Sequence, residues 1–350
     1  MRHIISFEDI SPDEWARLYG LTLDIIARPG DYARSCAGRV MAALFYEPST
    51  RTNFSFQAAM QRLGGGVIGF SDPSVTSASK GETMRDTMIM VSGYSDSIVM
   101  RHPCAGAAKA ASLYSSCPVI NAGDGGHFHP TQTLTDLAAI TRLRGGLRGM
   151  SVGICGDLKY GRTVHSLITA LARFEDVTLH LISPRQLACP KYLRVFMQQR
   201  KMRFYEVTNL EAALGSLDVL YMTRIQRERF DDPKEYDRLK GVYVLTARKL
   251  SLAKGDLLIL HPLPRVDEIN PDVDGDPRAK YFFQAETGMY ARMALLLELT
   301  ALPKLTPERD YTETGRLCRN PGCITFREDY LPFLEENGRC VYCDYSLKGD

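Results

Sequence analysis

The chain has 350 residues, about twice what one hydrophobic core organises, so two domains and a small third are expected. Hydrophobic residues make up 45% and charged residues 24%, values that exclude a disordered or fibrous chain. With 43 basic and 41 acidic side chains the net charge is +2, which argues against nucleic acid or an anionic membrane as the main partner, though not against a cationic pocket for a small anion.

No apolar run approaches the roughly 18 residues that a transmembrane helix requires. The opening stretch MRHIISFEDISPDEW carries acidic residues where a signal peptide is apolar, so a soluble, cytoplasmic and unprocessed chain is expected. In chain order, 40–46 (VMAALFY) reads as a buried strand, and after Glu47 and Pro48 a helix opens near Ser49 or Thr50. Phe56, Ala59, Met60 and Leu63 fall at i, i+3, i+4 and i+7 of that helix, and Gly64 to Gly66 stop it. Strands follow at 66–70, 97–100 and 118–122, with helices at 82–93 and 131–143. The pattern restarts with a strand at 151–155, a turn at Gly156 and Asp157, and a helix at 162–173. Further strands are predicted at 177–182, 202–207, 218–222, 242–245 and 257–260, and an apolar helix at 288–302 is expected to pack back on the first domain. Alternation of this kind places the chain in the α/β class, with two doubly wound parallel-sheet domains in series. The expected domains are 1–135, completed by a helix at 285–302, then 136–284, then a polar tail at 303–350.

Several loops after strands carry cationic or hydroxyl side chains. Ser49, Thr50, Arg51 and Thr52 lie where a strand ends and a helix begins; hydroxyls, free backbone N–H groups, an Arg and the helix dipole there suit a phosphate. Arg101 follows a second strand, and the glycine-rich loop GDGGHFHPTQ, with His129 and Gln132, follows a third. In the second half, Arg162 follows GDLKYG, Arg224 and Gln226 follow another strand, and HPLPR, with Pro262 and Leu263, follows a third. Arg162 and Arg224 suit bidentate carboxylate binding. The spacing of Gly153, Gly156 and Gly161 is not that of a dinucleotide loop, which makes a nicotinamide cofactor a weak alternative. No serine–histidine–acid set, Walker lysine loop or acidic metal cluster is evident. Acyl transfer from an activated phosphate to an acidic nucleophile fits better than metal-assisted phosphoryl transfer.

At these residues the chain resembles the catalytic chain of aspartate carbamoyltransferase over roughly residues 3–302, through FYEPSTRTNFSF, GFSDPSVTSASKGET, IVMRHP, NAGDGGHFHPTQTLTDL, GDLKYGRTVHSL, LYMTRIQRER and HPLPRVDEI, in family order. The resemblance implies transfer of the carbamoyl group of carbamoyl phosphate to L-aspartate in pyrimidine biosynthesis, with no cofactor required for catalysis. It implies that Ser49, Thr50, Arg51 and Thr52 bind the phosphate, and that Thr52, Arg101 and His129 polarise the carbamoyl carbonyl. Gln132 and the carbonyls near Pro262 and Leu263 would hold the carbamoyl NH₂ and the incoming amine, while Arg162, Arg224 and Gln226 would bind the aspartate carboxylates. Lys80 and a hydroxyl, Ser77 ahead of Thr76, would reach the active site of a neighbouring subunit in a homotrimer. Ornithine carbamoyltransferase is the nearest alternative. It typically has cysteine after the histidine of the H-x-L-P motif, where this chain has Pro262, and its acceptor lacks a second carboxylate for Arg224. A non-catalytic homologue acting as a scaffold is the other alternative, and the full set of polar site residues argues against it.

The nine cysteines are unevenly placed. Cys36, Cys104, Cys117, Cys155 and Cys189 read as buried thiols of a cytosolic protein. Cys318, Cys323, Cys340 and Cys343 form C-x4-C-x16-C-x2-C, a spacing at which four thiolates can wrap one structural Zn²⁺, making a small zinc-ribbon-like domain. Two disulfides or four free thiols are the competing readings. The tail lacks the basic stripe of a nucleic-acid-binding ribbon. CRNPGCIT and RCVYCDY resemble the zinc-binding domain of the aspartate carbamoyltransferase regulatory chain, which implies a docking and assembly module fused to the enzyme.

Overall fold

The computed structural model describes residues 3–225, 230, 232–307 and 313–347. It divides into two compact units, Met1–Thr131 with Met289–Asp350, and Gln132–Gly288. Among the described residues no helix is long and apolar enough to cross a membrane.

In the first unit, α1 (Pro12–Ala27) starts at a capping box in which Ser11 and Glu14 satisfy each other's backbone N–H groups. A four-stranded parallel sheet follows, built from β1 (Val40–Phe45), β2 (Gly66–Phe70), β3 (Ser97–His102) and β4 (Val119–Asp124) in the order β2-β1-β3-β4. Its crossovers are α2 (Thr50–Arg62), α3 (Met84–Tyr94) and the Ala-rich α4 (Ala107–Ser112). Residues 41–45 of β1 are all buried, as expected of a central strand covered on both faces. Ile4 pairs with β4, its N–H reaching Val119 O at 2.8 Å, and so covers that edge of the sheet.

The second unit holds a five-stranded parallel sheet in the order β7-β6-β5-β8-β9, from β5 (Ser151–Cys155), β6 (Thr178–Ile182), β7 (Arg203–Val207), β8 (Val219–Met222) and β9 (Leu258–Leu260). The helices α6 (Arg162–Leu171), α7 (Lys191–Gln199), α8 (Leu210–Leu214) and α9 (Pro233–Leu239) belong to it. The unit boundaries fall inside α5 (Pro130–Arg144) and α10 (Tyr281–Thr300). The last part of α10 packs in the first unit, where Arg17 pairs with Glu298 at 2.7 Å and Arg292 donates to Ser55 Oγ at 2.9 Å.

Three sequence expectations need correction. The run 242–245 is no strand: only Leu245 makes a bridge, to Ile269, and Tyr243 spends its hydroxyl on Thr208 O. A short apolar run signals burial, and burial here comes without a ladder. The closing helix starts at Tyr281, seven positions before 288, because Gly288 sits within it against Thr135 and does not mark its start. β3 runs on to His102 and β4 to Asp124, so Arg101 lies on a strand end and not in the loop beyond it.

The C-terminal tail docks on the first unit of its own chain. Gly322 O accepts from Ala105 N and Ile324 N donates to Ala105 O, both at 2.9 Å, forming a parallel bridge between Ala105 and Cys323. Cys318, Cys323, Ile324, Leu331, Leu334, Tyr342 and Cys343 join Met84, Met88 and the alanines of α4 in one apolar cluster. Tail segments also hold both ends of α3. Glu328 accepts from Met84 N and the Tyr330 hydroxyl from Arg85 N at the start, while Lys304 Nζ reaches Ser92 O and Ser95 O at the end. These signs match the helix dipole.

Candidate active site

In an open parallel sheet, ligands bind beyond the carboxyl ends of the strands, where the strand order reverses. In the first sheet that point lies between β1 and β3. β1 ends at Phe45 and leads to Ser49, the N-cap of α2, with extended backbone (φ −159°, ψ 91°) and no side-chain capping bond. The first N–H that closes an intrahelical bond belongs to Asn53, donating to Ser49 O at 3.2 Å, so the amides of Thr50, Arg51 and Thr52 point out of the helix end. Thr50 and Arg51 are exposed and Thr52 is buried. On β3, Tyr46 N donates to Arg101 O at 2.8 Å, and the Arg101 guanidinium contacts Glu47 Oε2 at 3.0 Å and Ala122 O at 3.4 Å. His129 closes the loop after β4, buried, with its Nδ1 3.4 Å from Thr131 Oγ1. Ser49 to Thr52, Arg101 and His129 therefore all follow or end strands at one edge of this sheet.

Lys80 is the exposed last residue of a short 3₁₀ turn, Ser77–Lys80, in the segment after β2. Thr76 caps that turn, accepting from Ala78 N at 3.3 Å and donating to Pro73 O at 2.7 Å, whereas Ser77 is exposed.

The reversal in the second sheet lies between β5 and β8. Gly156 (φ 124°) lets the two strand ends approach, since a Cβ there would stand 2.3 Å from Thr223 O. Asp157 Oδ1 accepts from Lys159 N and Tyr160 N, folding the loop that delivers Arg162 to the first position of α6. Arg224 follows β8, and both arginines are half-buried. Gln226 lies outside the described residues.

Two residue networks in this unit set side-chain orientation. The buried Asp136 carboxylate accepts from Gln132 Nε2 at 2.7 Å, Gln284 Nε2 at 2.6 Å and the Tyr221 hydroxyl at 2.9 Å. Because Gln132 uses its NH₂ on Asp136, its carbonyl oxygen is the end left to accept from a ligand. Burial, and then the nearby Asp136 charge, push the Tyr221 hydroxyl pKa far up. Gln284 Oε1 in turn accepts from His261 N at 2.9 Å. His261 Nδ1 accepts from Leu263 N at 2.7 Å, which leaves Nε2–H to donate to Glu268 Oε1 at 2.6 Å. That contact holds Leu263 in the left-handed region (φ 53°), beside Pro262. Burial raises the Glu268 pKa, but the hydrogen bond from His261, with those from nearby backbone N–H groups, outweighs it and the net shift is downward. Replacing Asp136 with alanine strands three buried donors, and the expected loss is about 1–3 kcal/mol for each. A urea midpoint unchanged in the Asp136→Ala variant would contradict this.

Comparison with known proteins accords with this geometry. Residues 2–142 match the family "Aspartate/ornithine carbamoyltransferase, carbamoyl-P binding domain", and residues 148–299 match "Aspartate/ornithine carbamoyltransferase, Asp/Orn binding domain". The aspartate carbamoyltransferase catalytic subunit of Clostridium novyi is 53% identical over 298 residues, covering 85% of this chain and 97% of that one. The chain belongs to the aspartate carbamoyltransferase family. The solved catalytic subunit of M. jannaschii aspartate transcarbamoylase is 46% identical with a TM-score of 0.80, over 85% of this chain and 98% of that chain. The Trypanosoma cruzi aspartate transcarbamoylase, solved in complex with N-(phosphonacetyl)-L-aspartic acid, is 37% identical with the same TM-score, over 85% of this chain and 95% of that one. As a member of this family the chain is a carbamoyltransferase. The family matches cover both parallel sheets and end at residue 299, before the cysteine tail.

None of the nine cysteines is in a disulfide, and all nine are buried. The four tail sulfurs lie within 4.8 Å of one another, with Cys318 Sγ 3.5 Å from Cys343 Sγ and Cys323 Sγ 3.9 Å from Cys340 Sγ. These separations are too long for disulfides. They bracket the about 3.8 Å between sulfurs of a tetrahedral site with metal–sulfur bonds of about 2.3 Å. The donor set therefore fits one metal ion with no open coordination position.

Asp136, Gln284 and Glu268 were not singled out from the sequence. Asp136 stands four residues after Gln132, one helical turn on, so spacing alone could have found it. Gln284 is 148 positions from Asp136 and left no local signal.

Proposed function

We propose that the chain transfers the carbamoyl group of carbamoyl phosphate to the amine of L-aspartate, giving N-carbamoyl-L-aspartate and phosphate. The observation that carries this reading is that each parallel sheet places its anion-seeking residues at its own reversal of strand order, hydroxyls with Arg51 on one and Arg162 with Arg224 on the other. The first unit then binds carbamoyl phosphate, with Ser49, Thr50, Arg51 and Thr52 on the phosphate. Thr52, Arg101 and His129 stabilise the oxyanion as the amine attacks the carbonyl carbon; loss of one such donor costs about 10²–10³ in rate. Gln132, fixed by Asp136, accepts from the carbamoyl NH₂, and the carbonyls near Pro262 and Leu263 hold the incoming amine. The C–O bond to phosphate breaks and the departing phosphate takes the amine proton, so no protein base or cofactor is required. Arg162, Arg224 and Gln226 bind the aspartate carboxylates. The T. cruzi relative's ligand joins a phosphonate to an aspartate, the two kinds of anionic group that these two residue sets suit.

Lys80 and Ser77 complete a neighbouring subunit's site in a homotrimer; the commitment of the Thr76 hydroxyl to its cap favours Ser77. The tail cysteines hold a structural Zn²⁺, the domain serves docking and assembly, and the enzyme works in the cytoplasm. A ureido-product assay run with aspartate and ornithine in parallel tests the activity: turnover only with ornithine, or with neither, overturns it. In the same assay Arg224→Ala is expected to raise the aspartate KM by about 10–100-fold, through loss of a bidentate charge-assisted contact. An unchanged KM would place the second carboxylate elsewhere.

A further inference from the structure

The loop between β4 and His129 is short and heavily cross-braced, and most of its braces converge on one carboxylate. Asp124 Oδ1 accepts from Phe128 N at 2.9 Å and from Asn121 Nδ2 at 3.0 Å. Its Oδ2 accepts from Gly106 N at 2.7 Å and stands 3.2 Å from His127 Nδ1. The other ring nitrogen of His127, Nε2, lies 3.0 Å from Oδ2 of Asp344 in the tail. Gly106 itself is pressed against the tail: its φ is 82°, and a Cβ would stand 2.4 Å from Tyr342 O. A chain of contacts thus runs from the tail, through His127 and Gly106, to Asp124, and His129 follows two residues after His127.

We infer that the tail is a positioning element for the carbamoyl-binding site, with Asp344 of the tail and His127 of the loop holding the 124–129 segment so that His129 stands in place. His127 and Asp344 are positioning residues; neither is placed against substrate. Nothing in the polarisation of a carbonyl by His129 needs a tail, yet misplacing such a donor by about 1 Å costs up to about 10² in rate. Anchoring its loop to a docked domain supplies rigidity that a surface loop lacks. This inference rests on the role assigned to His129 above.

The test uses the full-length protein. Asp344→Ala removes the link from the tail side and His127→Ala from the loop side, leaving the tail sequence intact in the second variant. Both are expected to lower kcat by about tenfold while the aspartate KM stays within about twofold. Hydrogen exchange at the amides of 125–129 should quicken by about tenfold in both. Asp344→Asn, which keeps an acceptor, should restore most of the rate. Unchanged exchange and kcat in His127→Ala overturn the proposal, as does a matched fall in all kinetic parameters with unchanged exchange. His129→Ala separates the two readings: if that variant turns over normally, the role of His129 is wrong, and the exchange data alone judge the link.

Discussion

Replacing Arg51 with alanine is expected to cut carbamoyl-aspartate formation by about 10³-fold or more while leaving the fold intact. The reason is positional. Arg51 is exposed in the first turn of α2, whereas that helix packs through Thr52, Asn53, Phe56, Ala59 and Met60. Alanine is a better helix former, and an exposed change of this kind stays within about 0.5 kcal/mol of the parent stability. On the proposed assignment, what is lost is a planar cation beside the outward-pointing amides of Thr50 and Thr52, where the leaving phosphate would gather charge. Arg51→Lys should recover only part of the rate, since a point charge cannot replace a bidentate fork. Steady-state assays paired with thermal unfolding check both halves, and near-normal turnover in Arg51→Ala would sink the site assignment.

Removing the zinc proposed for the tail is expected to have the largest effect on structure. Among the described residues the tail's only regular strands are Glu335–Glu336 and Arg339–Cys340, so the described tail has little secondary structure of its own. A domain this small needs a metal or another staple, and structural zinc supplies about 10–16 kcal/mol of apparent binding energy in isolated fingers. Four buried thiolates left without a cation repel one another, so chelation should release the docked cluster of Ile324, Leu331, Leu334 and Tyr342. About one zinc per chain should be measured before treatment, and proteolysis within 313–347 should speed up afterwards. Cys323→Ser should behave similarly, because Cys323 both belongs to the proposed ligand set and bridges to Ala105. Purified protein free of zinc, or a chelated tail as resistant to protease as before, would refute this.

The two kinds of feature differ in how they are encoded. The strand-to-helix junction at Ser49 to Thr52 was readable because everything it needs is local: an apolar strand, Pro48, three hydroxyls, an Arg and an i, i+3, i+4, i+7 face. The cysteine cluster was readable for the same reason, since ligand type and spacing carry the chemistry. Misreadings occurred where a local pattern had two physical meanings. The run 242–245 is apolar because Tyr243 and Leu245 pack in a core, not because they pair in a ladder. Gly288 resembled a helix start and is instead a close-packing position against Thr135.

Residue identity and short-range periodicity were thus sufficient for the α/β class, the two parallel sheets, the cationic loops and the thiolate set. The strand orders β2-β1-β3-β4 and β7-β6-β5-β8-β9 were decided by crossovers that no window of sequence displays. So were the Asp136–Gln132–Gln284 orientation of an amide and the seat of the tail on Ala105 and Gly106. Such contacts join residues far apart in the chain, and their free energy depends on burial and on satisfying every buried donor, quantities that exist only once the chain has folded.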